Sequence, residues 1–270
     1  MLKPLPSFLL SLFLLLTLFP HPTRAAAIDG YGEAINQAGR QRMLSQRMLK
    51  NHVLEAMDID VLNAREQKRR DMALFQTQLD NLQAFARDNT ELQASLAAVA
   101  GQWKAYRQAL GKPLQKARAL QLLDQSDRLL KAAHQFVLLL ERQAGTRSGH
   151  WVNVAGRQRM LSQRLTLFHI YRSWGLDNDL LQAEPERNKQ EFEQALDDMS
   201  KASVNTDAIR QLLRRGRREW KLFKHGLEGK EKAPIVYIVN LAGNKLLETM
   251  DRLTRLYAQL DQAAQQGDPN

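Results

Sequence analysis

Cysteine is missing from all 270 residues. That excludes disulfides, thiolate metal ligands, a nucleophilic thiol and a lipoprotein anchor together. Long apolar runs are missing too. The longest, Phe8–Phe19, has twelve residues and would rise about 18 Å as a helix, short of the ~30 Å hydrocarbon core of a bilayer. β-rich runs are scarce, and the exception, Ile235–Val239, reads as the start of the last helix. No glycine-rich phosphate loop, nucleophile elbow or paired-carboxylate pattern occurs, so an enzyme has no constellation to rest on.

Basic residues outnumber acidic ones by 39 to 29, for a net charge of +10. Such a balance often points to nucleic acid, but the N-terminus argues against that partner. Lys3 gives a positive start, Phe8–Phe19 an apolar centre, and Ala25-Ala26-Ala27 a small-x-small cleavage site, which together read as a secretory signal. The expected mature chain begins near Ile28, carries +8, and is periplasmic or secreted. An uncleaved N-terminal anchor is the alternative.

The chain repeats itself. Ala38–Arg47 and Ala155–Arg164 are identical over ten residues at an offset of 117. The same offset relates Asn36 to Asn153, His52 to His169, Phe75 to Phe192, Trp103 to Trp220 and Leu129-Leu130 to Leu246-Leu247. This is a tandem duplication, and two copies are too few for a solenoid. The spacing of apolar residues predicts helices near 31–59, 65–87, 91–110 and 114–144 in the first unit. In the second it predicts 150–174, 185–201, 207–225 and 234–264, with Pro185 and Pro234 at first helical positions and Gly175 and Gly226 at C′ positions. Four antiparallel helices with short loops make an up-down bundle. The expected fold is therefore all-α: two tandem four-helix bundles packed as an intrachain pseudo-dimer. The divisions are a signal over 1–27, bundles over 28–148 and 149–266, and a polar tail over 267–270. Gly145 and Gly149 disfavour a helix running unbroken from one bundle into the next, at about 1 kcal/mol each, so a side-by-side arrangement is expected over an end-to-end one.

The repeated segment has a particular seam. Ile35, Ala38/Gly39, Arg42, Ser45 and Leu49 share one helical face, as do Val152, Ala155/Gly156, Arg159 and Ser162. Small residues let two such helices approach closely, with one guanidinium from each turned into the contact. Two cations about 6 Å apart repel by roughly 3 kcal/mol at an effective dielectric near 20, and a small anion held bidentately between them reverses that sign. The plainer reading is that these arginines reach solvent or pair with nearby carboxylates.

The segments INQAGRQRMLSQR and VNVAGRQRMLSQR resemble the P-box of the PilJ/NarX type of bacterial sensory domain, a periplasmic four-helix bundle of nitrate/nitrite sensors and of type IV pilus chemotaxis transducers. The resemblance implies a nitrate ion held where two P-box helices meet, with one Arg from each. Residue by residue it places Arg42 and Arg159 on the ligand, Gly39 and Gly156 at the opening of the box, and Arg47 and Arg164 at its later Arg. Val239–Gly243 resembles a weaker related box in the last helix, although Lys245 and Leu246 stand where its Arg pair would be. The implied function is an extracytoplasmic sensory protein for nitrate, nitrite or a similar small anion, with both halves of a sensor dimer in one chain. Its signalling partner would be a separate membrane sensor kinase or chemoreceptor. The alternative is an envelope or pilus-associated interaction protein of the same fold without a ligand.

Three other groups invite chemistry. His52 and His169 are related by the repeat but have no repeated carboxylate partner, so they read as surface or half-buried imidazoles rather than metal ligands, and no metal or cofactor is expected. Trp103 and Trp220 read as core. The basic run Arg210–Lys224 reads as a solvated face, with contact to anionic lipid headgroups as its functional alternative.

Overall fold

The computed structural model describes residues 28–229 and 233–266. The expected signal and the last four residues lie outside them. Among the described residues the chain forms eight α-helices: α1 (Tyr31–Ala56), α2 (Val61–Phe85), α3 (Thr90–Leu110), α4 (Ala119–Ala144), α5 (Arg147–Ser173), α6 (Asp179–Lys201), α7 (Asp207–Leu227) and α8 (Ala233–Gln266). A 3-10 turn, Lys116–Arg118, precedes α4.

Each set of four closes as a bundle. α1 packs on α2 and α4, and α3 packs on α4 and touches α2; α5 to α8 repeat the arrangement. The outer helices follow simple amphipathic logic. In α7 the buried positions are Ile209, Leu213, Gly216, Trp220, Phe223 and Leu227, one stripe at three- and four-residue spacing. Trp103 stacks on Phe75 and Trp220 on Phe192, each pair with centroids 4.2 Å apart. The indole nitrogens donate to the repeat-related Gln76 and Glu193 at 2.9 and 3.0 Å. These rings are core, as the sequence suggests.

α1 and α5 are different, because they are buried almost all round. They pack against each other in parallel, flanked by α8 and α4. Near the start of the contact Ile35 Cδ1 lies against the backbone of Gly149. Two turns before the end of α1, Lys50 Nζ donates to Gln163 Oε1 at 2.8 Å. The bundles thus lie side by side, with the two boxes as their common seam.

The breaks have local causes. Gly145 adopts φ +62° and ends α4, a left-handed position that Gly occupies without a Cβ penalty. Thr146 then caps α5, accepting from Gly149 N at 3.0 Å. Gly149 therefore lies inside α5 and does not help to break the chain. Three expectations need correction. α1 stops at Ala56 and α2 starts at Val61, because Asp58 and Asp60 turn the chain at φ 56° and 49°. α6 starts at Asp179, where Asn178 accepts from Leu181 N at 2.9 Å, so Pro185 is an interior residue of the helix. α7 runs on to Leu227 and encloses Gly226.

Candidate functional site

The seam between α1 and α5 brings the two box arginines together. Arg42 and Arg159 are both 0% exposed, and each crosses to the other helix. Arg159 Nη2 donates to the backbone carbonyl of Asn36 at 3.0 Å, and Arg42 Nη2 donates to that of Asn153 at 3.3 Å. Asn36 and Asn153 are themselves repeat-related, so the pair of contacts obeys a pseudo-two-fold axis. Glycine makes the approach feasible. A Cβ on Gly39 would sit 3.2 Å from Arg42 Nη2 and 3.3 Å from Arg159 Nη2, and one on Gly156 would meet the same two atoms at 3.6 and 3.2 Å. Both guanidinium tips therefore converge on the bare backbone of both glycines.

The axis is broken by what the last helix of each bundle contributes. Arg159 Nη1 donates to Asp251 Oδ1 at 2.8 Å and to Asn36 Oδ1 at 2.9 Å. The repeat counterpart of Asp251 is His134, and Arg42 Nη1 lies 3.1 Å from its Nδ1. Since Arg has only donors, this Nδ1 accepts and the imidazole carries its proton on Nε2. Asp251 also takes Arg40 at 2.8 Å. One arginine thus faces a carboxylate and the other a neutral ring. The Nε of both is without a partner, as is Asn153 Oδ1.

Burial is the first cause of each electrostatic shift here. It lowers Arg42 to about 9, helped by Arg157 and Arg159, and lowers Arg159 to about 10, with Arg40 adding and Asp251 opposing. Both remain cations at neutral pH. His134 falls to about 4 through burial and then through Arg42, which keeps it neutral. For Asp251 burial works upward, but Arg159 and Arg40 outweigh it and hold the carboxyl below its ordinary range. A cavity of about 260 Å³ between α1, α2 and α8 is lined by Arg40 and Asp251, and so reaches the carboxylate that holds Arg159.

Not all the expected residues gather at this point. Arg47 forms a bidentate pair with Asp71 of α2, with Nε 2.7 Å from Oδ2. Arg164 pairs with Asp127 of α4, donates to Gln46 Oε1 at 3.0 Å, and lies over the Phe168 ring at 4.6 Å. Those two tie helices together away from the Arg42–Arg159 focus. His134 and Asp251 are the site residues that motif reading missed, although the 117-residue offset already sets them opposite each other. Lys50 was missed as well. It is fully buried, donates to Gln163 and to Asn244 Oδ1 at 2.7 Å, and burial drives its pKa well below the usual value. Its repeat counterpart is Leu167, so no repetition marks it.

His52 and His169 are buried rather than surface groups, 3% and 0% exposed, and desolvation lowers each to about 4. Along Arg210–Lys224, Arg210, Arg215, Arg217 and Lys224 pair with Asp207, Glu219, Asp197 and Glu193. No helix among the described residues is long and apolar enough to cross a membrane.

No curated protein and no solved structure matches the chain. The family model of the type IV pili methyl-accepting chemotaxis transducer N-terminal domain, PilJ, matches residues 25–129 and 143–233. With two matched segments over most of its length, the chain belongs to the PilJ family and carries that domain in tandem.

Proposed function

We propose that this tandem domain is an extracytoplasmic sensor of a small monovalent oxyanion, nitrate or nitrite, taken up where Arg42 and Arg159 meet. Family membership makes it a sensory domain of the chemotaxis-transducer type. The ligand rests on one observation: of two fully buried, converging guanidiniums, only Arg159 is paired with a carboxylate. Arg159 is neutralised by Asp251, whereas Arg42 meets only neutral groups directly, so the pair retains about one positive charge. A monoanion supplies the missing counter-charge, and the unpartnered Nε donors offer it charge-assisted hydrogen bonds. Gly39 and Gly156 leave the backbone close to the ion. Neutralising Arg42 favours one setting of α1 against α5, and that differential affinity lets a separate partner, a sensor kinase or chemoreceptor, read occupancy.

Isothermal titration of the chain from Ile28 with nitrate, nitrite, chloride and sulfate tests this. The expected result is saturation near one nitrate or nitrite per chain, lost in Arg42→Ala and retained in Arg40→Ala. Absence of heat with every anion, or equal damage from Arg40→Ala, overturns it. A second reading, an interaction protein whose box serves packing alone, draws on the bonds each arginine already makes to the opposite helix. It expects the fold to be indifferent to all four anions.

A further inference from the structure

A second cavity, of about 630 Å³, opens between α1, α2 and α8, within the size range of small-molecule sites. The duplication supplies its own control. At the positions where the cavity is lined by Asn51, Asn63, Ala64 and Asn240, the repeat-related residues are Phe168, Leu180, Leu181 and Leu123. Phe168 is fully buried and Arg164 lies over its ring. One unit fills this place with large apolar side chains, and the other clears it and lines it with amides.

The lining has unused bonding capacity of both signs. Asn240 is 4% exposed and its Oδ1 has no partner. Asn51 donates through Nδ2 to Gln67 Oε1 at 3.0 Å, which leaves its carbonyl oxygen free to accept. Arg47 engages Asp71 through Nε and Nη2, which leaves Nη1 as a free donor. Of the charges that line the cavity, Arg47 pairs with Asp71 and Arg70 with Glu66, while Asp60 takes the neutral Asn63 Nδ2 at 2.7 Å in place of a cation. A ligand of net negative charge is therefore disfavoured, while one with an anionic end for Arg47 and an ammonium for the two amide oxygens is matched. Leu54, Leu74 and Leu241 add an apolar wall.

We propose that this cleft is a second ligand site, taking a small zwitterion of the amino-acid class, its carboxylate on Arg47 and its ammonium on Asn51 and Asn240. The site is independent of the oxyanion at Arg42 and Arg159. It is tested by titrating the full chain with the standard amino acids one at a time, in the wild type and in Asn51→Phe, Asn240→Leu and Arg42→Ala. Both filling substitutions copy residues that the other repeat already packs, and circular dichroism melting checks that each variant folds. At least one amino acid is expected to bind one-to-one. Its affinity should fall about tenfold or more in both filled variants and stay unchanged in Arg42→Ala. The amide of the same amino acid, which lacks the carboxylate, should bind far more weakly. If Asn51→Phe does not fold, Asn240→Leu decides. Absence of binding at about 10 mM, where even a weak millimolar site would register, overturns the proposal. So does binding that both fillings leave intact, or equal binding of an uncharged sugar.

Discussion

Asp251 and His134 occupy equivalent places in the two repeats and give the two arginines different neighbours. Asp251→Asn should therefore act on both charge and cohesion. Removing the internal carboxylate leaves two uncompensated guanidiniums, so nitrate affinity should rise by about tenfold or more on Coulomb grounds, with sulfate gaining relative to nitrate. The same variant should melt at a lower temperature, because Arg40, Arg159 and Arg255 all lose a partner. Titration calorimetry and thermal unfolding read the two effects separately. Arg42, Arg159, Gly39 and Gly156 were legible in the sequence because identity over ten residues singled them out. The tertiary partners of Arg47 and Arg164 were not. Asp71 and Asp127 lie on other helices, and local spacing says nothing about which carboxylate a long side chain reaches.

Among the helices, glycine substitutions separate close packing from mere helical cost. Gly39→Ala should lower stability to urea by about 1–2 kcal/mol, because its methyl would press on two hydrogen-bonded, buried guanidiniums and this outweighs the gain in helix propensity. Gly101→Ala on α3 should do the opposite. A Cβ there meets nothing within 4 Å, so the gain of about 0.8–1 kcal/mol in helix propensity is uncompensated. Equal effects at both positions would remove the close-approach account of the seam. Helix existence was readable from apolar periodicity and from caps such as Asn89, which accepts from Leu92 N at 3.0 Å. The ends were harder to read. The turn between α1 and α2 uses Asp58 and Asp60 in left-handed conformations, where a sequence reader looks for Gly or Pro. Pro185 suggested a helix start, whereas the Asn178 cap begins that helix almost two turns earlier.

For the molecule as a whole, histidines shielded from water couple stability to acidity. His52, His134 and His169 titrate near 4 in the folded chain against 6.5 for an ordinary imidazole. Between those values the unfolded chain binds more protons, so stability should fall as pH drops from about 6.5 toward 4. Asp251, with its lowered carboxyl, adds a loss further down as pH falls through its folded value. Melting temperatures across pH 4–7.5 check this, and a variant with all three histidines changed to Gln should show a shallower slope. The two-bundle plan was visible in the 117-residue offset because duplication preserves register along the whole chain. The carved cleft beside α8 was invisible for the complementary reason. It arises where the copies have diverged, and divergence acquires meaning only once the packing is known.

A dimer of identical subunits must present the same group on both sides of its axis. In this chain the peptide link through Gly145 and Thr146 removes that obligation, and the seam holds a carboxylate on one side and an imidazole on the other. The junction consequently has a polarity. An anion bound there, as proposed, would pull unequally on the two bundles, and the movement would then have a sender and a receiver within a single polypeptide.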